Sequence, residues 1–404
     1  MLSFFPYPYP DELWYSVLCR YHVRSGNESA ASTKNELYPK RLNAQIGSFF
    51  PNGILKDVLE QLPEGYLDIQ DIAYNHSLFK FYYRFESLEK KKEALGKIMS
   101  GGCVSLGRTV DQEKMHPKLR FCPQCLKEEL KEYGEGYWHV LHQIPLMNVC
   151  LKHQCALKTY YCQNASEKNS NFLLPVQCES KARENEVKGF DYQLSKMLES
   201  YQKLPFEMGP TIGYNNIFEG LMNAGYGSAR NRMEFLLDLQ HLSADLISFF
   251  GKELIETQFL GSIVNHGIIS DMRSWKGKRS ERYAILATFL NQSPEITFGE
   301  VQIENIIIKQ FREMSERFVT RSKAYVANEL GVKPETLDIL ASNLQIQPFW
   351  KSEAEKCIAY DRVSIMMTPE IKQRVKEIVR ANGYRSMSDY IMYCVERMLK
   401  KNGY

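Results

Sequence analysis

Two short stretches constrain this chain more than anything else in it. FCPQC places Cys122 and Cys125 as a C-x-x-C pair, and NVCLKHQC places Cys150 and His153 as a C-x-x-H pair. Each pair is a local turn that aims two donor atoms at one point. Two such pairs make a tetrahedral thiolate–imidazole cage of the kind zinc prefers. With all four positions filled by protein, no place is left for a reactive water, so one structural zinc ion is expected rather than a catalytic one. Cys155 is an alternative to His153 as fourth ligand, and His139 and His142 are further candidates. Between the pairs, LKEELKEYG reads as a short helix ending at Gly134, followed by an aromatic stretch that packs beside the metal. Cys162 and Cys178 lack close partners and, with Cys19, Cys103, Cys357 and Cys394, read as buried thiols.

A chain of 404 residues is expected to form several domains, and 44% apolar residues suffice for real cores. The net charge of +3 neither demands nor excludes nucleic acid, because the placement of charge decides that. The opening MLSFFPYPYP has no basic n-region, and no stretch approaches the roughly 18–20 apolar residues of a membrane span. A cytoplasmic, nucleoid-associated protein with no membrane partner is the expectation. There the ten cysteines serve as ligands and core residues rather than disulfides. The chain contains no G-x-x-x-x-G-K-[ST] loop, no hydrolase elbow and no open metal site, so a binding protein is expected and not an enzyme.

Periodicity and punctuation predict a mainly α, multidomain helical protein with an embedded structural zinc finger, helix-turn-helix units and a distinct C-terminal segment. The expected divisions are a helical domain over 1–117, the zinc finger over 118–160, a polar linker over 161–189, a helix-turn-helix domain over 190–298, a second such unit over 299–356 and a tail over 357–404. In the first helix-turn-helix, a helix stops at Ala224-Gly225-Tyr226 and Ser228 caps the next, which puts Arg230 and Arg232 where groove-contacting groups sit. The alternative is an ordinary helical hairpin with solvated arginines. RSWKGKRSERY gathers Arg273, Lys276, Lys278, Arg279 and Arg282 around Trp275 and Tyr283, a pattern suited to phosphate contact. In SKAYVANELGVKPETLDILASNLQI, Ala327 and Gly331 allow two helices to cross closely, and Lys333 and Thr336 open the second helix as candidate DNA contacts.

The tail runs strand, helix, helix. Val363, Ile365 and Met367 alternate with Arg362, Ser364 and Met366, and then Thr368 and Pro369 start one helix and Ser386 or Ser388 the next. This order resembles the ribbon-helix-helix fold of small bacterial repressors. That resemblance implies a homodimer through the tail, with Arg362 and Ser364 facing DNA. The rival reading is a dimerisation or docking module that never touches DNA. Residues 361–404 hold nine Lys and Arg against five Asp and Glu.

The run LRFCPQCLKEELKEYGEGYWHVLHQIPLMNVCLKHQCALK resembles the zinc-finger segment of the TniQ/TnsD family of transposon target-site selectors. The opening FFPYPYPDELWYSVLCRYHVRSG matches that family's N-terminal signature through Phe5, Pro6, Pro8, Tyr9, Glu12, Leu13, Tyr15, Ser16 and Arg20. YNHSLFKFYYRF matches another block through His76, Leu78, Phe79 and Phe85. GYGSARNRMEFLLDLQHLSADLISFFGKELIETQFL resembles the helical region that follows, so the resemblance covers roughly residues 1–295. It implies a DNA-binding selector that recognises double-stranded DNA and recruits the transposon's AAA+ ATPase. An adaptor docked on a guide-RNA effector complex is the alternative within the family, and a dimeric transcriptional regulator the alternative outside it. The second cysteine cluster of many guide-RNA-associated members is missing from the sequence, which favours direct DNA reading.

Overall fold

The computed structural model describes residues 2–40, 49–102, 104, 118–163, 167, 171–210, 215–227, 237–276, 279–298, 306–317, 321–330, 332, 334–351, 365–382, 384, 386–402. The chain forms two compact units, residues 1–226 with 238–303, and residues 227–237 with 304–404. Both are mainly helical. Among the described residues, no helix is long and apolar enough to cross a membrane.

The first unit is organised around α1, Trp14–Ser25. Leu13 precedes it and gives no side-chain cap. Distant carbonyls satisfy the first-turn donors instead: Leu13 N–H donates to Trp138 O at 2.7 Å and Trp14 N–H to His76 O at 2.8 Å. The helix is buried from Trp14 to Tyr21 and stops where Gly26 takes φ 72°, a left-handed conformation that glycine adopts freely. Five further helices follow: α2 (Ala30–Leu37), α3 (Gly53–Leu59), α4 (Ile69–Asn75), α5 (Phe79–Tyr83) and α6 (Leu88–Met99). Ser29, Asn52, Asp68 and Ser87 cap α2, α3, α4 and α6 through their side chains.

The finger adds most of the unit's strand structure. β1 (Lys118–Phe121), β4 (Lys158–Tyr161) and β5 (Arg183–Glu184) form an antiparallel sheet in the order β1-β4-β5, with Arg120 opposite Thr159. A two-residue hairpin, β2 (Val149–Cys150) with β3 (Cys155–Ala156), places Cys150 opposite Cys155. Two helices, α7 (Pro123–Glu132) and α8 (Val140–Gln143), lie between β1 and β2. Buried Arg120 holds α8 to the sheet by donating to the carbonyls of His142, Gln143 and Ile144 at 2.8–2.9 Å. Residues 171–188 wrap back over the finger. They contribute β5 and the short helix α9 (Pro175–Cys178), and Leu173 O accepts the Trp138 indole N–H at 2.6 Å.

Beyond the finger, α10 (Asp191–Lys203) packs on a later helix, Ser280–Phe289, which is buried at every position except Arg282 and Phe289. Two buried cations tie α10 and the loop after it to the N-terminal helices. The Arg84 guanidinium donates to Tyr201 O, Leu204 O, Pro205 O and Met208 O at 2.6–2.8 Å, and Lys91 Nζ donates to Phe206 O and Met208 O at 2.9 and 2.8 Å. They satisfy carbonyls that the end of α10 leaves without helical partners. Burial lowers both, Arg84 to about 10 and Lys91 to about 7. Phe85 stacks on Tyr283 at 4.0 Å and lies beside Trp275, Phe298 and Tyr201, an aromatic core between the two halves of the unit.

In the first expected helix-turn-helix, the helix Asn216–Leu221 runs into a π turn, Met222–Tyr226, that is broken at Gly225 with φ 93°. Ser228, Arg230 and Arg232 lie outside the described residues, and the next described helix, Leu239–Phe250, begins under the side-chain cap of Asp238.

The second unit has its own core of Phe311, Val326, Ala327, Leu330, Leu337, Ala341 and Phe349. It is enclosed by the helices Ile306–Arg317, Lys323–Leu330 and Pro334–Leu344 and by a parallel pair of two-residue strands, Arg321–Ser322 with Trp350–Lys351. A hairpin of two amphipathic helices follows, Pro369–Ala381 capped by Thr368 and Met387–Lys401 capped by Ser386. Of the expected tail strand, residues 361–364 lie outside the described residues, and 365–368 carry neither helix nor strand.

Candidate metal centre and its surroundings

Cys122 follows β1 and caps α7: its sulfur accepts from Cys125 N–H at 3.5 Å, with Pro123 at the first helical position. That one turn sets the two sulfurs of the C-x-x-C pair on one side. The tight link between β2 and β3, with Gln154 at φ 50°, turns Cys150 and His153 back toward them. The four ligand atoms all lie within 4.8 Å of one another and could hold a metal ion.

The spacings test that fit. Cys125 and Cys150 sulfurs are 3.8 Å apart, and His153 Nδ1 lies 3.3, 3.5 and 3.7 Å from the sulfurs of Cys125, Cys122 and Cys150. Tetrahedral geometry with metal–sulfur bonds of about 2.3 Å and metal–nitrogen bonds of about 2.0–2.1 Å sets edges of about 3.8 Å between sulfurs and about 3.5 Å between sulfur and nitrogen. The cage therefore has the right size. Cys155, the alternative ligand, sits 3.5 Å from the Cys122 sulfur but outside the mutually close set of four. Hydrogen bonds from Cys125 and then Cys150 hold the Cys122 thiol well below its ordinary range, an environment that favours a thiolate.

The outer contacts fix how the ligands point. Glu128 Oε1 meets His153 Nε2 at 3.0 Å while Lys152 holds the other Glu128 oxygen at 2.6 Å, so Nδ1 is left to face the sulfurs. The neighbouring Glu129 turns the other way. Its carboxylate accepts from Tyr137 N–H at 3.1 Å and engages His139 Nε2 at 2.6 Å, and His139 Nδ1 meets Asp11 Oδ2 at 3.2 Å. Burial opposes charge on His139, but the hydrogen bonds to Asp11 and Glu129 outweigh it and raise the imidazole to about 9. Both its nitrogens are engaged by carboxylates, so it serves as a cationic clasp. His142 is buried, and burial drives it down to about 4, a neutral ring hydrogen-bonded to the Cys150 thiol. Gly136 crosses α7 so closely that a Cβ there would come within 2.1 Å of Leu126 Cδ1.

A second network joins the first residues to the finger. Arg20 grips Glu12 through two parallel hydrogen bonds, Nε to Oε1 at 2.9 Å and Nη2 to Oε2 at 2.7 Å, with 1% and 0% of the two side chains exposed. It also donates to Tyr7 O at 2.7 Å and Glu135 Oε1 at 3.0 Å, and its guanidinium lies 3.9 Å from the centre of the Tyr9 ring. Tyr9 stacks on Tyr133 at 4.3 Å, and its hydroxyl donates to Glu135 at 3.0 Å. His76 Nδ1 meets Glu12 O at 2.6 Å. The residues of the N-terminal signature thus converge on the finger.

Residues 3–157, the span containing both networks, match the TniQ family. Over 154 residues the chain is 32% identical to the transposon Tn7 transposition protein TnsD of Escherichia coli, a match covering 37% of this chain and 30% of that protein. The resemblance to the TniQ/TnsD proteins is carried by this domain. The shared part spans less than a third of the relative's length, and it contains the Cys/His cluster and the Arg20 network.

The residues read as DNA contacts lie outside the TniQ match. Arg273 and Lys276 are exposed, and Arg279 is half-buried before the Ser280–Phe289 helix. Arg282 donates from Nε to Gln258 O at 2.6 Å, and burial lowers its guanidinium to about 10. Tyr283 is buried against Phe85, and half-buried Trp275 stacks beside them, so the two rings that made this stretch look suited to nucleic acid pack on Phe85. Lys278, Lys333, Arg362, Ser364 and the side chain of Thr336 lie outside the described residues. Sequence reasoning missed Glu128, Glu129 and Glu135. The first two were detectable, because Cys122, Cys125 and Glu128 or Glu129 recur at helical spacing on one face of α7.

Proposed function

We propose that this protein selects target sites for a bacterial transposon: it binds double-stranded DNA and recruits the transposon's AAA+ ATPase to direct insertion. It acts as a cytoplasmic, nucleoid-associated binding adaptor rather than an enzyme. The observation that carries the reading is the TniQ match over residues 3–157, together with the fact that the matched residues converge in one compact unit. The relative over this span is a transposition protein by name. The ion in the cage is zinc on this reading. When bound it supplies a rigid cross-link, and Cys122, Cys125, Cys150 and His153 hold it while Glu128 orients His153. Arg20, Glu12 and Glu135 then fix the N-terminal signature on the finger as a preformed docking surface for the ATPase, which avoids ordering that segment on binding. Arg273, Lys276 and Arg279 are the candidate phosphate contacts among the described residues.

The test is selection of duplex DNA from a random pool plus host genomic fragments by the zinc-loaded protein, across a salt series. An enriched sequence that persists at moderate salt supports autonomous target reading, and the salt slope gives the number of phosphates neutralised. Only weak, salt-erased binding would overturn that part and turn attention to a guide-RNA effector complex.

A further inference from the structure

Beside the four-donor cage stands a fifth donor that a tetrahedral ion does not need. Cys155 Sγ lies 3.5 Å from Cys122 Sγ, outside the mutually close set of Cys122, Cys125, Cys150 and His153. Its backbone is pinned on both sides. Cys155 faces Cys150 across the β2–β3 hairpin, Leu157 N–H donates to Asn148 O at 2.8 Å, and the Tyr192 hydroxyl donates to Gln154 O at 2.5 Å. The sulfurs differ in access: Cys122, Cys125 and Cys150 are 1%, 5% and 3% exposed, whereas Cys155 is half-buried and stands on the open side.

We propose that Cys122 and Cys155 are a peroxide-oxidised pair, with Cys155 as the resolving thiol that makes opening of the cage reversible. A ligand sulfur is deprotonated, and the thiolate is the nucleophile. Hydrogen peroxide, little larger than water, reaches Cys122 past Cys155. The Cys122 thiolate attacks one peroxide oxygen, the O–O bond breaks, hydroxide leaves and Cys122 becomes a sulfenic acid. The Cys155 thiol then attacks the Cys122 sulfur from about the 3–3.5 Å separation at which reacting atoms are poised. An S–S bond forms and the sulfenic oxygen leaves as water, so the two electrons that reduce the peroxide come from the two sulfurs. The cage keeps three donors and loses its hold on the ion. Cys122 also caps α7, which carries Glu129 and, through His139, holds Asp11 of the N-terminal segment. Oxidation therefore loosens the finger and the signature together, and two-electron reduction by a dithiol restores both sulfurs.

The inference rests on the metal reading of the cage and not on target selection, so the reduced full chain is first assayed for metal by elemental analysis. Wild type, Cys155→Ser and Cys155→Ala are all expected to hold it, because Cys155 is outside the set of four. Hydrogen peroxide is then expected to release the ion from wild type to a chromophoric chelator and to leave peptides linked through Cys122 and Cys155 by mass spectrometry. A dithiol followed by fresh zinc should restore most of the bound metal. In the two variants the Cys122 sulfenic acid has no partner and goes on to sulfinic acid, so the same treatment should restore about a tenth or less. A reduced wild-type chain without metal would remove the cage reading itself. With metal bound, three results would overturn the proposal alone: a wild-type cage that stays loaded and unlinked in peroxide, a disulfide between another pair of sulfurs, or variants that recover their metal as fully as wild type. Variants that hold no metal before oxidation would make Cys155 a ligand and overturn it too.

Discussion

Replacing Arg20 with Met tests whether the N-terminal signature is held to the finger by charge. The substitution keeps much of the buried volume and removes four hydrogen bonds: two to Glu12, one to Tyr7 O and one to Glu135. Glu12 is fully buried, and its carboxyl is already raised by burial against the opposing pull of Arg20. Without Arg20, its charge keeps only the Tyr9 N–H at 2.8 Å and the Ser16 side chain, both neutral donors. Breaking a buried ion pair by removing one partner destabilises by about 3–5 kcal/mol, because the other charge stays buried without compensation. Most of that deficit belongs to Glu12, so Arg20→Met combined with Glu12→Gln should recover about 1–3 kcal/mol. The assay is urea unfolding of zinc-loaded protein at constant pH, with hydrogen exchange over residues 7–24 to locate the loss. A single variant within about 1 kcal/mol of wild type would refute the argument, since that is the scale of an exposed pair. A double variant no better than the single would refute the assignment of the deficit to Glu12.

Three more outcomes follow from the same geometry. Chelation of the metal, or Cys125→Ser, should remove one bound metal per chain by elemental analysis and open residues 7–13 and 118–160 to protease together, because α7 carries both Cys125 of the cluster and Glu129 of the Glu129–His139–Asp11 clasp. Glu128→Gln should lower metal affinity by about 10–100-fold in a chelator competition while the fold stays intact, because it acts only through the orientation of His153. Lys91 is lowered to about 7 by burial, so between pH 7 and its ordinary value near 10.5 the unfolded chain binds a proton that the folded chain has released. Wild-type stability relative to Lys91→Met should therefore rise with pH, by about 2 kcal/mol from pH 7 to pH 9; a difference that is flat or falls would show that the two carbonyls keep Lys91 charged.

The cluster of Cys122, Cys125, Cys150 and His153 that could hold a metal was legible in the sequence because its geometry is local. A C-x-x-C pair at a helix start and a C-x-x-H pair after a two-residue strand aim their donors wherever the rest of the chain goes. The tail hairpin was legible for a similar reason, since Thr368, Pro369 and Ser386 mark helix starts by their own side-chain chemistry. The signature residues could be matched to a family, but nothing in their order says that Arg20 reaches Glu135, which is 115 residues away. Charge and aromatic content did not show, in one place, what the aromatic rings touch. Trp275 and Tyr283 sit among basic residues in the sequence and look available to nucleic acid, yet Tyr283 is buried against Phe85 and half-buried Trp275 stacks on both rings. In the run Lys90-Lys91-Lys92 only the middle residue turns inward, onto the face of Ala94 and Ile98. A one-dimensional charge run does not show which of its members lies on the buried side.

The sequence by itself determined the two halves of the Cys/His cluster, the helical character and the capped ends of several helices, because each depends on residues within a few positions of one another. The tertiary structure alone decided which charges are buried and what they hold. Arg20, Arg84 and Lys91 look like ordinary surface cations until segments more than a hundred residues distant bring Glu135 and the carbonyls of 201–208 against them. Burial is a property of the whole fold, and it converts those cations from solvated surface groups into the ties that hold the helices and the finger in one unit.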